Sequence, residues 1–437
     1  MSMIGENQKN ALRTLTFVFE RFGEHELANH AAAGAYAFLL SATPALLLVL
    51  GVARAFLSSF PEGMNEILGF ATGIFGALDA AGPLREFFSR PLGIGATIFA
   101  SLSLVWAARL FILTVQRGLR VVWGVSPLEK PVRDNVVTFA LEFAALVLVV
   151  LVLGAAEALR FFLPYLVPIV GGTVGSISRI LLGAIPPLLL YLYAFLTYRF
   201  IPPRNPATRV AAFSALLCVL LYMAFSATLA FLIDRTHYDL LYGVLGGLVI
   251  VLLKVWTFFM VYFHCAELAF IIERFDSLLF ARFLRVSQGG KQGRLARSLF
   301  ARPERLVRKY GRIYPAGRVI FREGEAGREA FYLLSGSVGV YLGVEGAEKR
   351  IATIDQGELF GEMAGLMKEG RTATTKADGE IEVITMPPGV FENLLATDWR
   401  IARRMIDLLS ERLKRADFRV GAEGSAKSAK GEGVIEG

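Results

Sequence analysis

The chain has 437 residues, of which 54% are hydrophobic and 19% are charged, and its formal net charge at pH 7 is +8. A mean hydropathy of +0.52 is too high for a soluble protein and indicates several membrane spans. Its two cysteines lie in apolar runs and its four histidines are scattered, so no disulfide framework and no metal centre is expected. A basic balance on such a chain is typical of cytoplasmic loops, and we expect no nucleic-acid partner.

Six apolar segments are each long enough for the roughly 20 residues that a membrane-spanning helix needs. These segments are 31–58, 91–114, 136–156, 180–200, 210–233 and 242–272. The first is too long for the apolar core of a signal peptide, so we expect it to remain in the membrane. The amphipathic stretch at 60–90 is expected to lie at the membrane interface. The predicted fold of this half is an all-α bundle of six transmembrane helices.

The distribution of Lys and Arg predicts the orientation of these spans. Basic residues cluster in the N-terminal arm, after spans two and four, and after span six, where residues 273–312 hold eleven basic and three acidic residues. The loops on the opposite side contain fewer of them. A multi-pass protein with both termini in the cytoplasm is therefore expected, with the lipid bilayer as a partner.

Three segments resemble the YihY/BrkB-type family of bacterial inner-membrane proteins, once labelled ribonuclease BN. They are NHAAAGAYAFLLSATPALLLVL, TYRFIPPRNPATRVAAFSALLC and YGVLGGLVIVLLKVWTFFMVYFHCAELAF. The resemblance covers about residues 10–280 and implies six spans, a place in the bacterial inner membrane and no settled activity. Lys254 and the pair His264-Cys265 depart from the family's pattern.

Arg109, Glu142, Lys254 and Glu267 are ionisable residues inside these spans. A charge at the centre of a transmembrane helix costs about 2.5–3.5 kcal/mol on insertion scales, so each residue needs a partner or a function. Snorkelling towards the interface accounts for Arg109, Glu142 and Glu267. Lys254 lies deeper, and the alternatives are an ion pair with Glu142 or Glu157 and a functional polar pathway.

Proline-containing decamers at 41–50 and 183–192 match in register and begin the two halves of the six-span bundle. Such a match is typical of the inverted repeats of transporters, although two Leu-rich segments also match by composition alone.

A Gly-Glu pair, Gly361-Glu362, stands nine residues ahead of the triplet Arg371-Thr372-Ala373. A guanidinium and the N–H groups of a tight turn suit phosphate oxygens, and a carboxylate can accept a hydrogen bond from a ribose hydroxyl. The pattern FGEMAGL…RTAT resembles the phosphate-binding cassette of cyclic-nucleotide-binding domains, over about residues 310–420. The resemblance implies a jelly-roll-like β-roll with flanking helices and cyclic AMP (cAMP) or cyclic GMP (cGMP) as the ligand. The residues expected at the nucleotide are Gly361, Glu362, Met363, Ala364, Arg371, Thr372 and Ala373.

Simpler roles for these residues stay open. Glu362 alone could be a turn acceptor, and Arg371 alone a solvated salt bridge. Gly365 and the stretch 368–370 depart from the cassette's usual Leu and Pro, which leaves the choice between cAMP and cGMP undecided.

The predicted organisation has five parts. They are a cytoplasmic N-terminal arm at 1–27, a six-span domain at 28–273, a basic linker at 274–309, the nucleotide-binding domain at 310–420, and a disordered tail at 421–437. The linker either lies on anionic lipid head groups or docks as a helix on the β-roll. Nucleic-acid binding is a third alternative, but the linker has no recognisable helix-turn-helix or stacking motif.

The function we expect is an undefined, transport-like activity regulated by a cyclic nucleotide. The alternative is a membrane scaffold whose β-roll is an unliganded interaction module. A potassium filter, a voltage sensor and a DNA-binding domain are not recognisable, and no carboxylate or histidine cluster favours a nuclease. We therefore expect no enzyme activity and no cofactor, and the sequence leaves a homo-oligomer open.

Overall fold

The computed structural model describes most of the chain, in several stretches. The described residues are 2–41, 94–124, 172–202, 206–236, 238–287, 299–300, 304–343, 348–367, 369–403, 405–407 and 410. The chain divides into two units, Met1–Glu273 and Arg274–Gly437.

The described part of the first unit is helical. Its helices are α1 (Ser2–Glu24), α2 (Ile94–Trp123), α3 (Gly172–Phe200), α4 (Thr208–Thr236) and α5 (Tyr238–Glu273). Residues 27–41 are also helical. The predicted N-terminal arm is thus a helix, and α1 packs against α5.

Two stretches within these helices are long and apolar enough to cross a membrane, Thr208–Leu232 in α4 and Val249–Glu273 in α5. A shorter apolar stretch, Ala184–Phe200, lies in α3. The predicted span at 136–156 lies outside the described residues, as do residues 42–50 of the first proline-containing decamer. The six-helix bundle is therefore still a prediction for the rest of this unit.

The α4 helix shows why these segments associate. Its small residues Ala211, Ala215 and Cys218 are buried, and α4 packs against α3 and α5. Its large residues Phe213 and Leu220 are exposed. Small residues at helix contacts let backbones approach closely, and an exposed apolar surface is what a helix presents to lipid.

Hydroxyl groups add a buried connection between α3 and α5. The Tyr198 hydroxyl donates to the carbonyl of Tyr262 at 2.7 Å, and the Tyr262 hydroxyl donates to Thr197 Oγ1 at 2.7 Å. Polar groups in an apolar bundle need such internal partners, because lipid offers none.

The second unit contains two four-stranded antiparallel sheets. Its strands are β1 (Gly311–Tyr314), β2 (Val319–Phe321), β3 (Ala330–Ser335), β4 (Val338–Leu342), β5 (Lys349–Ile354), β6 (Leu359–Phe360), β7 (Thr374–Ala377) and β8 (Ile381–Met386). The strand orders are β1-β8-β3-β6 and β2-β7-β4-β5. A core that includes Phe331, Leu333, Val338, Phe360 and Val383 draws on both sheets. The predicted C-terminal β-roll is confirmed.

Among the described residues of this unit, the sheets are accompanied by the helices α6 (Phe275–Ser287), α7 (Glu304–Tyr310), α8 (Glu362–Met367) and α9 (Pro388–Thr397). Within the predicted linker, α6 docks on the roll, since Phe283 is buried with its ring 5.3 Å from that of Tyr332. The Ser277 hydroxyl donates to the carbonyl of Val390 at 3.2 Å, and Arg285 Nε donates to Asp398 at 2.7 Å. The structure thus favours the docked helix over the lipid-bound alternative for this part of the linker.

Asp276 joins α6 to α7. It accepts hydrogen bonds from Arg305 Nε at 2.9 Å, from the Tyr310 hydroxyl at 2.8 Å and from Lys309 Nζ at 2.5 Å. Burial acts to raise the pKa of the Asp276 carboxyl, but the bonds from Lys309, Tyr310 and Arg305 outweigh it, and the pKa is lowered. The carboxylate is therefore an anchor for both helices.

Candidate phosphate-binding site

A tight turn at Gly361 connects strand β6 to helix α8. Gly361 has φ +71°, in the left-handed region that favours glycine. A Cβ at this position would stand 2.8 Å from Arg371 Nη1 and 3.0 Å from Cδ2 of Phe331. Both the backbone conformation and the space at this turn therefore require glycine.

The Arg371 guanidinium lies under this turn. Its Nη1 donates to the carbonyl of Glu329 at 2.9 Å and to that of Gly361 at 2.7 Å, and its Nη2 lies 3.3 Å from Glu329 Oε2. Its Cζ stands 4.1 Å from the centroid of the Phe321 ring, in a cation–π arrangement. Only 4% of the residue is exposed. The guanidinium is therefore held by backbone carbonyls, an aromatic ring and one carboxylate.

Backbone hydrogen bonds hold Arg371 in place along the chain. Its N–H donates to the carbonyl of Glu325 at 3.0 Å, and its carbonyl accepts from Gly324 N–H at 2.8 Å. The corner at 323–325 is thus the backbone partner of the arginine. Gly324 itself has φ +77°.

Electrostatics at Arg371 combine burial with negative neighbours. Burial lowers the pKa of the guanidinium, and the carboxylates of Glu329, Glu325 and Glu362 oppose that effect. The interpretation of Arg371 as a solvated salt bridge is wrong, because the guanidinium is buried and only its partner Glu329 reaches solvent. A buried cation beside a glycine turn is suited to an anionic ligand.

The predicted nucleotide residues differ in where the structure places them. Glu362, Ala364 and Ala373 are buried, Met363 is half-buried, and Thr372 is exposed. Gly361, Glu362 and Arg371 come together at the turn, with Glu362 as the first residue of α8. Thr372 is the exposed neighbour of the buried Arg371.

The glycines that depart from the usual cassette have a steric role. A Cβ at Gly365 would lie 3.0 Å from the carbonyl oxygen of Arg328, and a Cβ at Gly370 would lie 3.0 Å from that of Gly324. Gly365 therefore lets helix α8 approach the backbone at Arg328, and Gly370 lets its loop approach the backbone at Gly324. Lys368 lies outside the described residues.

Sequence reasoning missed two residues of this site, Glu329 and Phe321. Glu329 precedes β3 and contributes both a carbonyl and a carboxylate to Arg371, and Phe321 ends β2 beneath the guanidinium. Neither stands in the cassette pattern, and the alternation of β3 gives no sign of Glu329.

The intramembrane candidate Glu267 has defined partners. Its side chain is fully buried, and it accepts from Arg21 Nε at 3.0 Å and contacts His25 Nδ1 at 2.5 Å. Arg21 also donates to the carbonyl of Val122 at 3.1 Å and stacks 4.2 Å from the Phe270 ring centroid. The snorkelling interpretation is wrong for Glu267, because its carboxylate faces two basic side chains and not water.

The other intramembrane candidates are placed less distinctively. Arg109 is exposed on α2, and Lys254 is half-buried on α5 with no ion pair among the described residues. Glu142 and Glu157 lie outside the described residues. Within the same described ranges, no group of three or more His, Cys, Asp and Glu could hold a metal ion.

Two protein-family models match the chain. The model of the family described as Virulence factor BrkB matches residues 18–279, and the model described as Cyclic nucleotide-binding domain matches residues 311–398.

Similar proteins match in the C-terminal part. The Cyclic AMP receptor protein of Thermus thermophilus is 32% identical over 108 residues, which are 24% of this chain and 50% of that protein. The cAMP-dependent protein kinase regulatory subunit of Emericella nidulans is 37% identical over 92 residues, 21% of this chain and 22% of that protein. The crystal structure of Thermus thermophilus Catabolite Activator Protein aligns with 28% identity over 28% of this chain and 60% of that chain, with a TM-score of 0.26. This chain thus spans half the length or less of these two curated relatives.

Proposed function

This chain belongs to the Virulence factor BrkB family and carries a cyclic nucleotide-binding domain, and from that premise we propose that a cyclic nucleotide controls its membrane domain. The proposed ligand is cAMP or cGMP. The two similar proteins, a cyclic AMP receptor protein and a cAMP-dependent protein kinase regulatory subunit, support this ligand class.

The observation that carries the proposal is the buried Arg371 guanidinium beneath the Gly361 turn. A phosphate oxygen with a full negative charge accepts a stronger hydrogen bond than a backbone carbonyl does, so it can compete for this guanidinium. Glu362, one residue beyond the turn, would accept from the ribose hydroxyl. Thr372, exposed beside Arg371, would donate to a phosphate oxygen or to a guanine edge.

The proposed membrane domain has six spans in the bacterial inner membrane, with both termini in the cytoplasm. The apolar stretches in α4 and α5 and the basic segment that follows α5 support this arrangement. A transport-like activity is supported by the buried charge at Glu267, since ionisable groups in membrane segments often mark pathways.

Control would pass through α6. A ligand shifts an equilibrium only by its differential affinity for two states, so binding must change contacts made by the cassette's neighbours. Helix α9 follows β8 of the roll and contacts α6 through Val390 and, just beyond its end, Asp398. In the chain, α6 begins two residues after α5 ends. We propose that a shift of α9 moves α6 and so acts on the last membrane helix.

One observation favours the second candidate function, a membrane scaffold with an unliganded roll. The Arg371 guanidinium already has partners in the carbonyls of Glu329 and Gly361. An arginine with these partners can serve the fold alone. Neither candidate includes catalysis.

The test is a calorimetric titration of the full-length protein in lipid nanodiscs with cAMP and cGMP. Arg371→Leu should abolish the binding heat. Arg350→Leu is the matched control, because Arg350 lies on strand β5 and, among the described residues, donates to the side chains of the exposed residues Asp378 and Thr353. An unmodified protein that gives no heat with either nucleotide would favour the scaffold.

A further inference from the structure

The N-terminal helix α1 presents two different faces. Arg13, Phe17, Val18 and Phe22 are buried on one face. The opposite face carries Leu12, Leu15 and Phe19, which are 53%, 52% and 66% exposed. At 100° per residue these three side chains fall within about 60° of one another, so they form one apolar stripe.

The exposed face of α1 also has a polar side. Lys9, Thr16 and Glu20 lie within about 80° of Leu12 on its other flank. The stripe is therefore bordered by polar groups along one edge. A helix of this kind is suited to a boundary between water and an apolar phase.

Contacts between α1 and α5 show where α1 lies along the apolar stretch Val249–Glu273 of α5. Phe22 stacks on His264 with ring centroids 3.7 Å apart, and Arg21 binds Glu267 and stacks on Phe270. These α5 residues precede the helix end at Glu273 by three to nine positions, or roughly 5–14 Å at 1.5 Å per residue. Amphipathic helices that lie in the plane of a membrane bury their apolar face about 5–10 Å into the boundary between head groups and acyl chains.

We infer that α1 is an in-plane anchor whose Leu12, Leu15 and Phe19 stripe rests in the cytoplasmic leaflet of the bilayer. The inference rests on the proposed membrane location of α5. The occupant of the stripe is lipid, because α1 packs at the level where the apolar stretch of α5 ends. The following helical segment exposes an apolar side chain as well, since Tyr36 is 62% exposed.

Nitroxide labels on single cysteines test the inference in full-length protein reconstituted in nanodiscs. The labelled variants are Leu15→Cys and Phe19→Cys on the stripe, and Thr16→Cys on the polar side. Native Cys218 and Cys265 are buried, so the parent protein treated with the same label gives the background. Collisions with oxygen report lipid, and collisions with a water-soluble nickel complex report solvent.

We expect labels at 15 and 19 to favour oxygen over nickel, and the label at 16 to show the reverse. Equal access of nickel to positions 15, 16 and 19 would overturn the inference. So would labels at 15 and 19 that are shielded from both reagents, because a protein partner or a second copy would then cover the stripe.

A label at Leu220, an exposed residue of α4, distinguishes failure of the α1 anchor from failure of the proposed membrane location. If the Leu220→Cys label meets oxygen while the Phe19→Cys label meets nickel, only the anchor fails. If both labels meet nickel, the membrane location of the proposed function fails as well.

Discussion

Replacing Gly361 with alanine tests the geometry of the phosphate-binding cassette directly. The left-handed backbone at φ +71° costs a residue with a side chain about 1–2 kcal/mol. The added Cβ would also stand 2.8 Å from Arg371 Nη1 and 3.0 Å from Phe331, and overpacking of this kind costs about 1–3 kcal/mol. We expect G361A to lower the local free energy of unfolding by about 2–5 kcal/mol and to displace the guanidinium.

Gly317→Ala is a matched control for this variant. Gly317 has φ +76°, but a Cβ there would meet no atom within 4 Å. It should therefore lose only the backbone contribution of about 1–2 kcal/mol. The difference between the two variants isolates the contact with Arg371 and Phe331.

Hydrogen exchange of the full-length protein measures both losses, since the amides of β3, β6 and β7 report the free energy of opening of the roll. A nucleotide titration of the same samples should show binding retained in G317A and lost in G361A. Equal destabilisation of the two variants would refute the packing argument, even for a protein that binds no nucleotide. Full nucleotide binding by G361A would refute the assignment of the site.

Three further predictions concern contacts away from the cassette. Glu267→Gln should destabilise the first unit by about 3–5 kcal/mol, because the buried pair with Arg21 is broken; thermal inactivation in detergent measures this loss. Phe283→Ala should weaken the docking of α6 by about 3–5 kcal/mol and raise hydrogen exchange in that helix. The lowered pKa of Asp276 means that its carboxylate stabilises the fold above the unfolded value of about 3.9, and this stabilisation is lost as the pH falls through the folded value. Asp276→Asn should therefore expose α6 to exchange at pH 7, while further acidification from pH 5 to pH 3 should affect the variant less than the unmodified protein.

Each of these predictions has an outcome that contradicts it. Unchanged inactivation of Glu267→Gln, compared with a Glu24→Gln control at an exposed site of α1, would mean that the pair contributes nothing to stability. Unchanged exchange in Phe283→Ala would show that α6 does not depend on its aromatic contact. An identical response of Asp276→Asn and the unmodified protein to acid would remove Asp276 as the source of the pH dependence.

Local patterns in the sequence determined much of this protein. The cassette pattern around Gly361 and Arg371 predicted a β-roll over about residues 310–420, and the two sheets of the second unit confirm it. The apolar stretches in α4 and α5 were recognisable from length and hydropathy alone. The Gly361-Glu362 pair and Arg371 could be assigned to one site from the sequence, because Arg371 follows Glu362 by only nine positions.

Tertiary structure alone decided which partners these groups have. Arg371 meets Glu329 across 42 residues of chain, and Glu267 meets Arg21 across 246 residues. Pairs so distant along the chain leave no periodic pattern, because folding and not spacing brings them together. The same reason explains the two-sided character of α1: the sequence predicted a cytoplasmic arm, and only packing on α5 decides that Leu12, Leu15 and Phe19 remain exposed.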